Sequence, residues 1–161
     1  MRCRLGLDDT DHTDVGCTTS SLDELLSEIQ EGMNCDIIDR RLVRLWPFAH
    51  RRTRGNGALG AIIDIPDRDE LVLKKICDSW FDRLLTKVSV YPPSNIPVSP
   101  CLAISFDKTP ENWYWDAVRG HVDPEKTLRE ARNVGTILFL TDEISGVVGA
   151  CAAISWESDP H

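Results

Sequence analysis

The sequence GLDDTD at residues 6–11, followed by GCTT at residues 16–19, decides how the first part of this chain folds. Ahead of the aspartates, residues 3–7 alternate apolar side chains with others, which predicts a short strand with one buried face. Behind the GCTT turn, the capping-box motif SLDE at residues 21–24 and helically spaced leucines predict a helix that ends at Gly32. A strand, an aspartate-rich turn and a helix therefore follow one another directly.

Outside this stretch the chain continues to alternate strands and helices, which favours an α/β or α+β fold. Strands are predicted at residues 36–45, 58–65, 101–106 and 135–140, and helices at residues 66–85, 111–118, 123–132 and 146–154. Two helices carry start signals, with Asp67 as the N-cap of one and Asp123 followed by Pro124 at the start of another. The pattern divides into a first unit up to about residue 66 and a second unit beyond it.

The composition is that of a globular protein able to bury a core, since 42% of the 161 residues are apolar and 27% are charged. No apolar run approaches the ~18–20 residues of a membrane-spanning helix, and the N-terminus lacks the apolar segment of a signal peptide. The six cysteines form no CxxC pair, so we expect reduced thiols that pack as small apolar side chains. These features predict a cytoplasmic protein and argue against membrane and secreted classes.

The charges are polarised along the chain. The net charge of −8 argues against a protein that simply coats nucleic acid. Four aspartates lie within residues 8–14, whereas six of the thirteen arginines lie within residues 40–54, where no acidic residue occurs. An acidic cluster and a basic segment suit a site that holds a metal ion on one side and an anion on the other.

The aspartates of residues 8–11 are candidate metal ligands. Clustered carboxylates repel one another in a low-dielectric site, and a cation between them relieves this repulsion. Mg²⁺ prefers oxygen ligands and commonly takes one or two carboxylates together with substrate phosphates. The GCTT turn leads into a helix N-terminus, where backbone N–H groups and hydroxyls can hold a phosphate. The alternative is that these aspartates are solvated turn and capping groups.

The residues Asp9-Thr10-Asp11-His12-Thr13 also fit the D-x-D-x-T signature of haloacid-dehalogenase-type phosphohydrolases. In that class the first aspartate, here Asp9, is the nucleophile. The chain lacks a convincing later lysine loop and a paired downstream acidic motif. This reaction is therefore kept as an alternative.

A second group of functional residue types lies within residues 41–58, RLVRLWPFAHRRTRGNGA. Arginine guanidinium groups bind phosphates bidentately, and Trp46, Phe48 and His50 can stack on a base. The GNG sequence at residues 55–57 allows a tight turn beside a ligand. The alternative is a solvated arginine-rich strand with an ordinary glycine turn.

Two further aromatic residues, Trp113 and Trp115, lie in the sequence ENWYWD. We expect them to be core or groove aromatics rather than a platform for a base. His121 precedes a predicted helix start and is expected to be a surface residue.

The motifs GLDDTD, CTT, RLVRL-x-P and TRGNGA occur in this order, and together they resemble those of the archaeal isoleucine-tRNA 2-agmatinylcytidine synthetase family. The late segment GVVGACAAI at residues 146–154 is similar to the small-residue G-x-I-G-A-x-A-A-I stretch of that family. Its small residues are also typical of a helix packed close against a sheet. The similarity spans most of the chain, although its specific motifs are confined to these segments.

The resemblance implies an ATP-dependent ligase that modifies the wobble cytidine of the isoleucine tRNA that decodes AUA. In this reaction the γ-phosphate of ATP activates the C2 oxygen of the base, and the amine of agmatine then displaces phosphate. The implied fold has a kinase-like, nucleotide-activating unit at residues 1–66 and a ferredoxin-like unit at residues 67–161. The implied cofactors are ATP and Mg²⁺, and the implied partners are agmatine and tRNA, with no membrane.

The resemblance also assigns roles to individual positions. Asp8, Asp9 and Asp11 would be catalytic residues that hold Mg²⁺ and orient ATP, and Thr18 would be the catalytic threonine at the γ-phosphate. Phosphoryl transfer depends mainly on positioning and charge neutralisation, which such acids and arginines supply in kind. The implied nucleotide-binding residues are Thr10, Gly16, Cys17, Thr19, Arg54, Gly55, Asn56 and Gly57.

Two features keep other functions open. The last predicted helix ends a few residues before His161, so we expect a fragment or a short paralogue without the OB-fold and zinc ribbon with which the family grips tRNA. The loop DEISG at residues 142–146 lacks the cation that the family's glycine-rich loop carries there. A paralogue that binds ATP or RNA without chemistry is therefore the second hypothesis, and a magnesium-dependent phosphohydrolase using Asp9 is the third.

Overall fold

A computed structural model of the chain describes residues 1–8, 18–45, 57–92 and 98–156, without the side chain of Thr19. In these ranges the chain forms a mixed α/β fold, which confirms the predicted fold class. The elements in chain order are β1 (Arg2–Asp8), α1 (Thr18–Gly32), β2 (Asp36–Arg44), β3 (Gly57–Asp64), α2 (Glu70–Ser89), β4 (Cys101–Ser105), α3 (Asn112–Arg119), α4 (Pro124–Asn133), β5 (Ile137–Leu140) and α5 (Val147–Ser155). None of the helices in these ranges is both long and apolar enough to cross a membrane.

The strands of the described residues form one antiparallel sheet in the order β2-β3-β1-β4-β5. In the central strand β1, Gly6 lies opposite Gly60 of β3 on one side and opposite Ala103 of β4 on the other. Of the described strands, three come from residues 1–66 and two from residues 67–161, and all five belong to the same sheet. The assignment of a kinase-like and a ferredoxin-like unit to these two ranges stays a prediction.

Two predicted helix starts are wrong in detail. α1 begins at Thr18, and Ser21 lies inside the helix instead of capping it. Both residues are buried, so packing against the sheet rather than the local capping motif sets this end of the helix. The N-cap of α2 is Asp69 rather than Asp67, whose carboxylate lies 2.9 Å from the amino group of Met1. Tertiary contacts therefore override the local start signals at both helices.

One face of the sheet carries α1 and α2. Cys3, Leu5 and Leu7 alternate along β1 and pack in a buried cluster with both helices. From α1 the cluster takes residues at helical spacing, namely Leu22, Leu25, Leu26 and Ile29. Each such large side chain contributes roughly 1.5–3 kcal/mol when it is buried. The alternation along β1 and the helical spacing along α1, both visible in the sequence, therefore predict which residues form this buried layer.

The other face of the sheet carries α5, with α3 and α4 packed against that helix. The helix approaches the strands closely, because a methyl group built on Gly6 would lie 2.1 Å from the carbonyl oxygen of Ala150. A methyl group built on Gly60 would lie 2.4 Å from the carbonyl oxygen of Ala153. Glycines in the strands and small residues in α5 permit this approach, which confirms the expected packing of residues 146–154 close against a sheet.

Four of the five described cysteines are buried, and no disulfide joins any two of the five. Burial raises the pKa of the Cys77 and Cys151 thiols to about 12 from an ordinary value of 9.0. Burial also raises the pKa of Cys3, and the neighbouring Cys77 adds to that shift. These thiols stay protonated in the folded chain, which agrees with their expected role as small apolar side chains.

We expect the free energy of unfolding to fall as the pH rises above about 9. Above the ordinary thiol pKa the unfolded chain loses protons that the folded chain keeps, so each of the thiols of Cys3, Cys77 and Cys151 removes about 1.4 kcal/mol of stability per pH unit. Urea unfolding between about pH 8 and pH 10 measures this slope. Replacing Cys151 by alanine should make the slope shallower, and an unchanged slope would contradict the role given to this thiol.

Candidate functional site

The candidate site lies where the central strand β1 ends, at the edge of the sheet that is formed by strand ends rather than by an outer strand. Because the sheet is antiparallel, this edge also contains the end of β2 and the starts of β3 and β4. The register places Arg44 opposite Gly57, and Leu7 opposite Leu59. Two of the predicted site residues, Asp8 and Gly57, therefore lie at the same edge on neighbouring strands.

Thr18 starts α1 at this edge as well. After α1 ends at Gly32, β2 begins at Asp36, which pairs with Asp64 at the opposite edge of the sheet. The fifteen residues of α1 span about 22 Å, close to the ~23 Å of the seven-residue strand β1, so the helix runs the length of the sheet. The N-terminus of α1, with Thr18, consequently returns to the edge at which Asp8 ends β1.

The first turn of α1 favours an anion. The helix begins with the sequence TTSS, and no acidic side chain lies in its first turn. The first backbone N–H groups of a helix lack intrahelical partners, and the positive end of the dipole favours a negative group there. Thr18, the first residue of the helix, is buried, with only 4% of its surface exposed.

The first turn of α5 reaches the same edge, where it contacts Asp8. A methyl group built on Gly149 would lie 1.8 Å from Oδ2 of Asp8, so the carboxylate lies against the glycine backbone. The positive end of the α5 dipole favours this negative charge. At the other end of α5, Nη1 of Arg4 donates to the carbonyl oxygens of Ile154 (3.3 Å) and Trp156 (3.4 Å). β1 therefore complements both ends of the α5 dipole and fixes the helix along the strand.

Sequence reasoning missed the residues that hold the turn before α5. Oγ of Ser99 donates to the carbonyl oxygen of Glu143 at 2.5 Å, and Oγ1 of Thr141 donates to the same oxygen at 3.0 Å. The carboxylate of Glu143 accepts from the backbone N–H of Ser145 at 3.3 Å. Burial of the Ser99 hydroxyl marks this role, but burial is a tertiary property that the local sequence does not carry.

The remaining predicted site residues lie outside the described part of the chain. They are Asp9, Thr10, Asp11, Gly16, Cys17, Arg54, Gly55 and Asn56, together with the side chain of Thr19. The candidate stacking residues Trp46, Phe48 and His50 also lie outside it. The roles given to all of these residues stay predictions.

The carboxylate at this edge is the type of ligand that a magnesium ion prefers. Within the described residues no group of three His, Cys, Asp or Glu side chains could hold a metal ion. Mg²⁺ nevertheless needs only one or two carboxylates where substrate phosphates complete its coordination. Asp8 supplies one carboxylate, and the predicted ligands Asp9 and Asp11 follow it directly in the sequence. The residues therefore suit a site that a bound phosphate completes.

Comparison with protein families gives a match to the TiaS TCKD domain over residues 4–142. The isoleucine-tRNA 2-agmatinylcytidine synthetase TiaS of Thermoplasma volcanium is 31% identical, over 94% of this chain and 38% of the relative. The enzyme of the same name from Methanocorpusculum labreanum is 27% identical, over 94% of this chain and 34% of the relative. The chain thus spans between 34% and 38% of the length of these two curated relatives.

Solved structures share the fold. The crystal structure of TiaS in complex with its isoleucine tRNA and ATP superposes with a TM-score of 0.80 at 21% identity, over 98% of this chain and 36% of that chain. The crystal structure of TiaS with the same tRNA, AMPCPP and agmatine gives a TM-score of 0.76 at 19% identity, over 98% of this chain and 37% of that chain. At these identities the likeness establishes a common fold.

Proposed function

Since the chain belongs to the TiaS TCKD domain family, we propose that it carries the nucleotide-activating part of an isoleucine-tRNA agmatinylcytidine synthetase. The reaction would be the ATP-dependent ligation of agmatine to the wobble cytidine, so the chain would be an enzyme of the ligase class. The names of its relatives support this proposal. A tRNA-modifying role also fits the cytoplasmic location expected from the sequence.

The observation that carries the proposal is the convergence of an acid, a hydroxyl and two helix N-termini at one edge of the sheet. Asp8 lies against Gly149 in the first turn of α5, and Thr18 opens the first turn of α1. The carboxylate suits a cation, and the first turn of α1 suits an anion. Magnesium together with a nucleotide phosphate satisfies both preferences.

Within this proposal, the phosphates of ATP bind at the N-terminus of α1. Backbone N–H groups of that turn hold the γ-phosphate beside the Thr18 hydroxyl, and the predicted nucleotide-binding residues 54–57, which lead into β3, contact the nucleotide. Asp8, with the predicted ligands Asp9 and Asp11, would hold Mg²⁺, which neutralises charge on the β- and γ-phosphates. These residues would orient ATP beside the buried Thr18.

The chemistry proposed for the substrates is a two-step exchange at C2 of the wobble cytidine. The C2 oxygen takes the γ-phosphoryl group, and ADP leaves with the bridging oxygen. The amine of agmatine then forms the C2–N bond, loses a proton and expels phosphate as the C2–O bond breaks. In the absence of RNA, we propose the Thr18 hydroxyl as the nearest acceptor of the phosphoryl group.

A second candidate function is a module that binds ATP or RNA without chemistry. The turn before α5 favours it, because Glu143 is held there by Ser99 and Thr141 and brings negative charge to that turn. Acidic residues near a phosphate site weaken binding unless a cation offsets them. The family match favours the synthetase function over the phosphohydrolase in which Asp9 is the nucleophile.

Incubation of the chain with Mg²⁺ and γ-labelled ATP tests the proposal. We expect protein-bound label on Thr18, and we expect Thr18→Ala to reduce the label at least about tenfold, because the acceptor oxygen is lost. Peptide mapping locates the label, and Thr86→Ala is the matched control, since Thr86 is an exposed threonine on α2 whose hydroxyl donates to the carbonyl oxygen of Asp82.

The other outcomes separate the alternatives. Label that is released by hydroxylamine indicates an acyl phosphate and supports the Asp9 phosphohydrolase instead. ATP binding without label or turnover, in the presence of RNA and agmatine, supports the binding module. Equal label in wild type and Thr18→Ala rules out Thr18 as the acceptor.

A further inference from the structure

A groove of about 350 Å³ lies on the α5 side of the sheet, beside the edge strand β2. Its aromatic and charged lining comes from three separate segments, so the fold rather than a local motif assembles it. We call it the aromatic groove and define it by the residues Arg41, Glu111, Tyr114, Trp115 and Trp156. Its volume lies at the small end of the ~300–1,000 Å³ range of ligand sites, which suits a single nucleoside-sized group.

One wall of the aromatic groove is a stacked arginine and tryptophan pair. Cζ of Arg41 lies 4.0 Å from the centroid of the Trp156 ring, and Nε of Arg41 lies 3.6 Å from Oδ2 of Asp39. Trp156 is only 5% exposed, so it is a fixed support for the guanidinium group. Arg41 is therefore held as a flat cationic surface on this side of the groove.

The other wall carries an exposed aromatic ring. Trp115 is 46% exposed, although an indole of this size is usually well buried in a globular protein. Its position is fixed by Tyr114, whose ring is nearly perpendicular to it with the two centroids 4.9 Å apart, and by Arg119, whose Cζ lies 4.7 Å from the centroid over one face of the ring. The neighbouring Trp113 is buried in the core, so the two tryptophans of this helix have different roles.

We propose that the aromatic groove binds an unstacked base of a single-stranded RNA. Bases without a stacking partner bind to aromatic rings and to arginine planes, and Trp115 and Arg41 supply one of each in the lining of the groove. The carboxylate of Glu111 lines the same groove and can accept a hydrogen bond from an exocyclic amino group of the base. The aromatic and hydrogen-bonding groups of the groove thus suit a base better than a phosphate.

Its place on the molecule favours a strand of RNA over a free nucleotide. β2 runs from Arg41 at the groove to Arg44 at the edge that contains Asp8, a distance of about 10 Å. Arg44 is exposed, and because side chains alternate along a strand it lies on the opposite face of the sheet from Arg41, so the path runs along the outer edge of β2, which both side chains flank. A polynucleotide that enters the candidate site can follow this basic strand and leave a flanking base in the groove. The inference rests on the proposed function for its RNA substrate, but it concerns a separate place on the surface.

The test measures binding of a fluorescein-labelled ten-nucleotide oligocytidylate by anisotropy, without ATP. We expect Trp115→Ala to weaken binding about tenfold, because one base loses its stacking surface, and Trp115→Phe to restore most of the affinity. An abasic oligomer of the same length and charge should bind wild type as weakly as the oligocytidylate binds Trp115→Ala. Leu71→Ala on α2 is the matched control, since Leu71 is also an exposed apolar residue and should leave binding unchanged.

Each other result overturns the inference. Wild-type binding that is absent, equal affinities for Trp115→Ala and wild type, or equal affinities for the abasic and cytidine oligomers would each exclude base stacking at Trp115. Complete displacement of the oligomer by ATP or CMP at equal nucleotide concentration would indicate a mononucleotide site instead. The labelling of Thr18 is measured in a separate experiment. If Thr18 is not labelled but RNA binding still depends on Trp115, the proposed function fails and the inference about the aromatic groove stands.

Discussion

Replacing Gly6 by valine destabilises the fold by about 3 kcal/mol or more. A Cβ atom at this position would lie 2.1 Å from the carbonyl oxygen of Ala150, and 3.0 Å from Cγ2 of Ile154. The closer contact is with the backbone of α5, so no change of side-chain rotamer relieves it, and the helix must move away from β1. Because the free energy of unfolding of natural domains is only about 5–15 kcal/mol, the variant should lose a large fraction of it, which urea unfolding measures.

A matched glycine substitution separates this effect from the general cost of altering a glycine. A Cβ atom at Gly120 meets no described heavy atom within 4 Å, so Gly120→Ala should change the free energy of unfolding by less than about 0.5 kcal/mol. Gly6→Ala should lie between Gly120→Ala and Gly6→Val. Equal stability of the Gly6 and Gly120 variants would mean that α5 does not approach β1 as closely as described.

Most elements of the fold could be predicted because they depend on local patterns. Alternation marks β1, helical spacing marks α1, and the N-cap at Asp123 is confirmed by its Oδ1 accepting from the backbone N–H of Glu125 at 3.1 Å. The order of the strands depends on which strand pairs with which, and no local pattern records that β1 lies between β3 and β4. Nor does a local pattern record that the sheet is antiparallel, which brings the starts of β3 and β4 to the end of β1.

The candidate site was predictable only in part, for a related reason. Asp8 and Thr18 are chemically conspicuous beside a turn, and the fold brings both of them to one edge of the sheet. Gly149 and Arg4 are not conspicuous in the sequence, because their roles depend on how α5 lies along β1. The N-terminal end of α5 lies beside Asp8, and its C-terminal end lies beside Arg4. Trp115 lies in a groove, as expected, but its sequence pattern did not favour the stacking surface now proposed for it, because the Arg41 that lines the same groove comes from a distant strand.

Replacing Asp8 by asparagine should lower the rate of phosphoryl transfer from ATP by about a hundredfold to a thousandfold. Asparagine has the shape of aspartate and fits against Gly149, but it removes the negative charge that a magnesium ion requires. The loss should fall mainly on the rate, with a higher Mg²⁺ concentration needed for half-maximal activity. Initial rates of Thr18 labelling over a Mg²⁺ titration, in the absence of RNA, measure both effects.

Stability must be measured on the same variant, because Asp8 also lies at the positive end of the α5 dipole. That interaction accounts for about 0.3–1 kcal/mol, so Asp8→Asn should remain folded while it loses activity. Asp107→Asn is the matched control, since it removes an exposed carboxylate just beyond β4, towards the opposite edge of the sheet, and should leave the labelling rate unchanged. If Asp8→Asn keeps the wild-type rate at every Mg²⁺ concentration, its carboxylate only secures α5 and is not a ligand of the proposed magnesium ion.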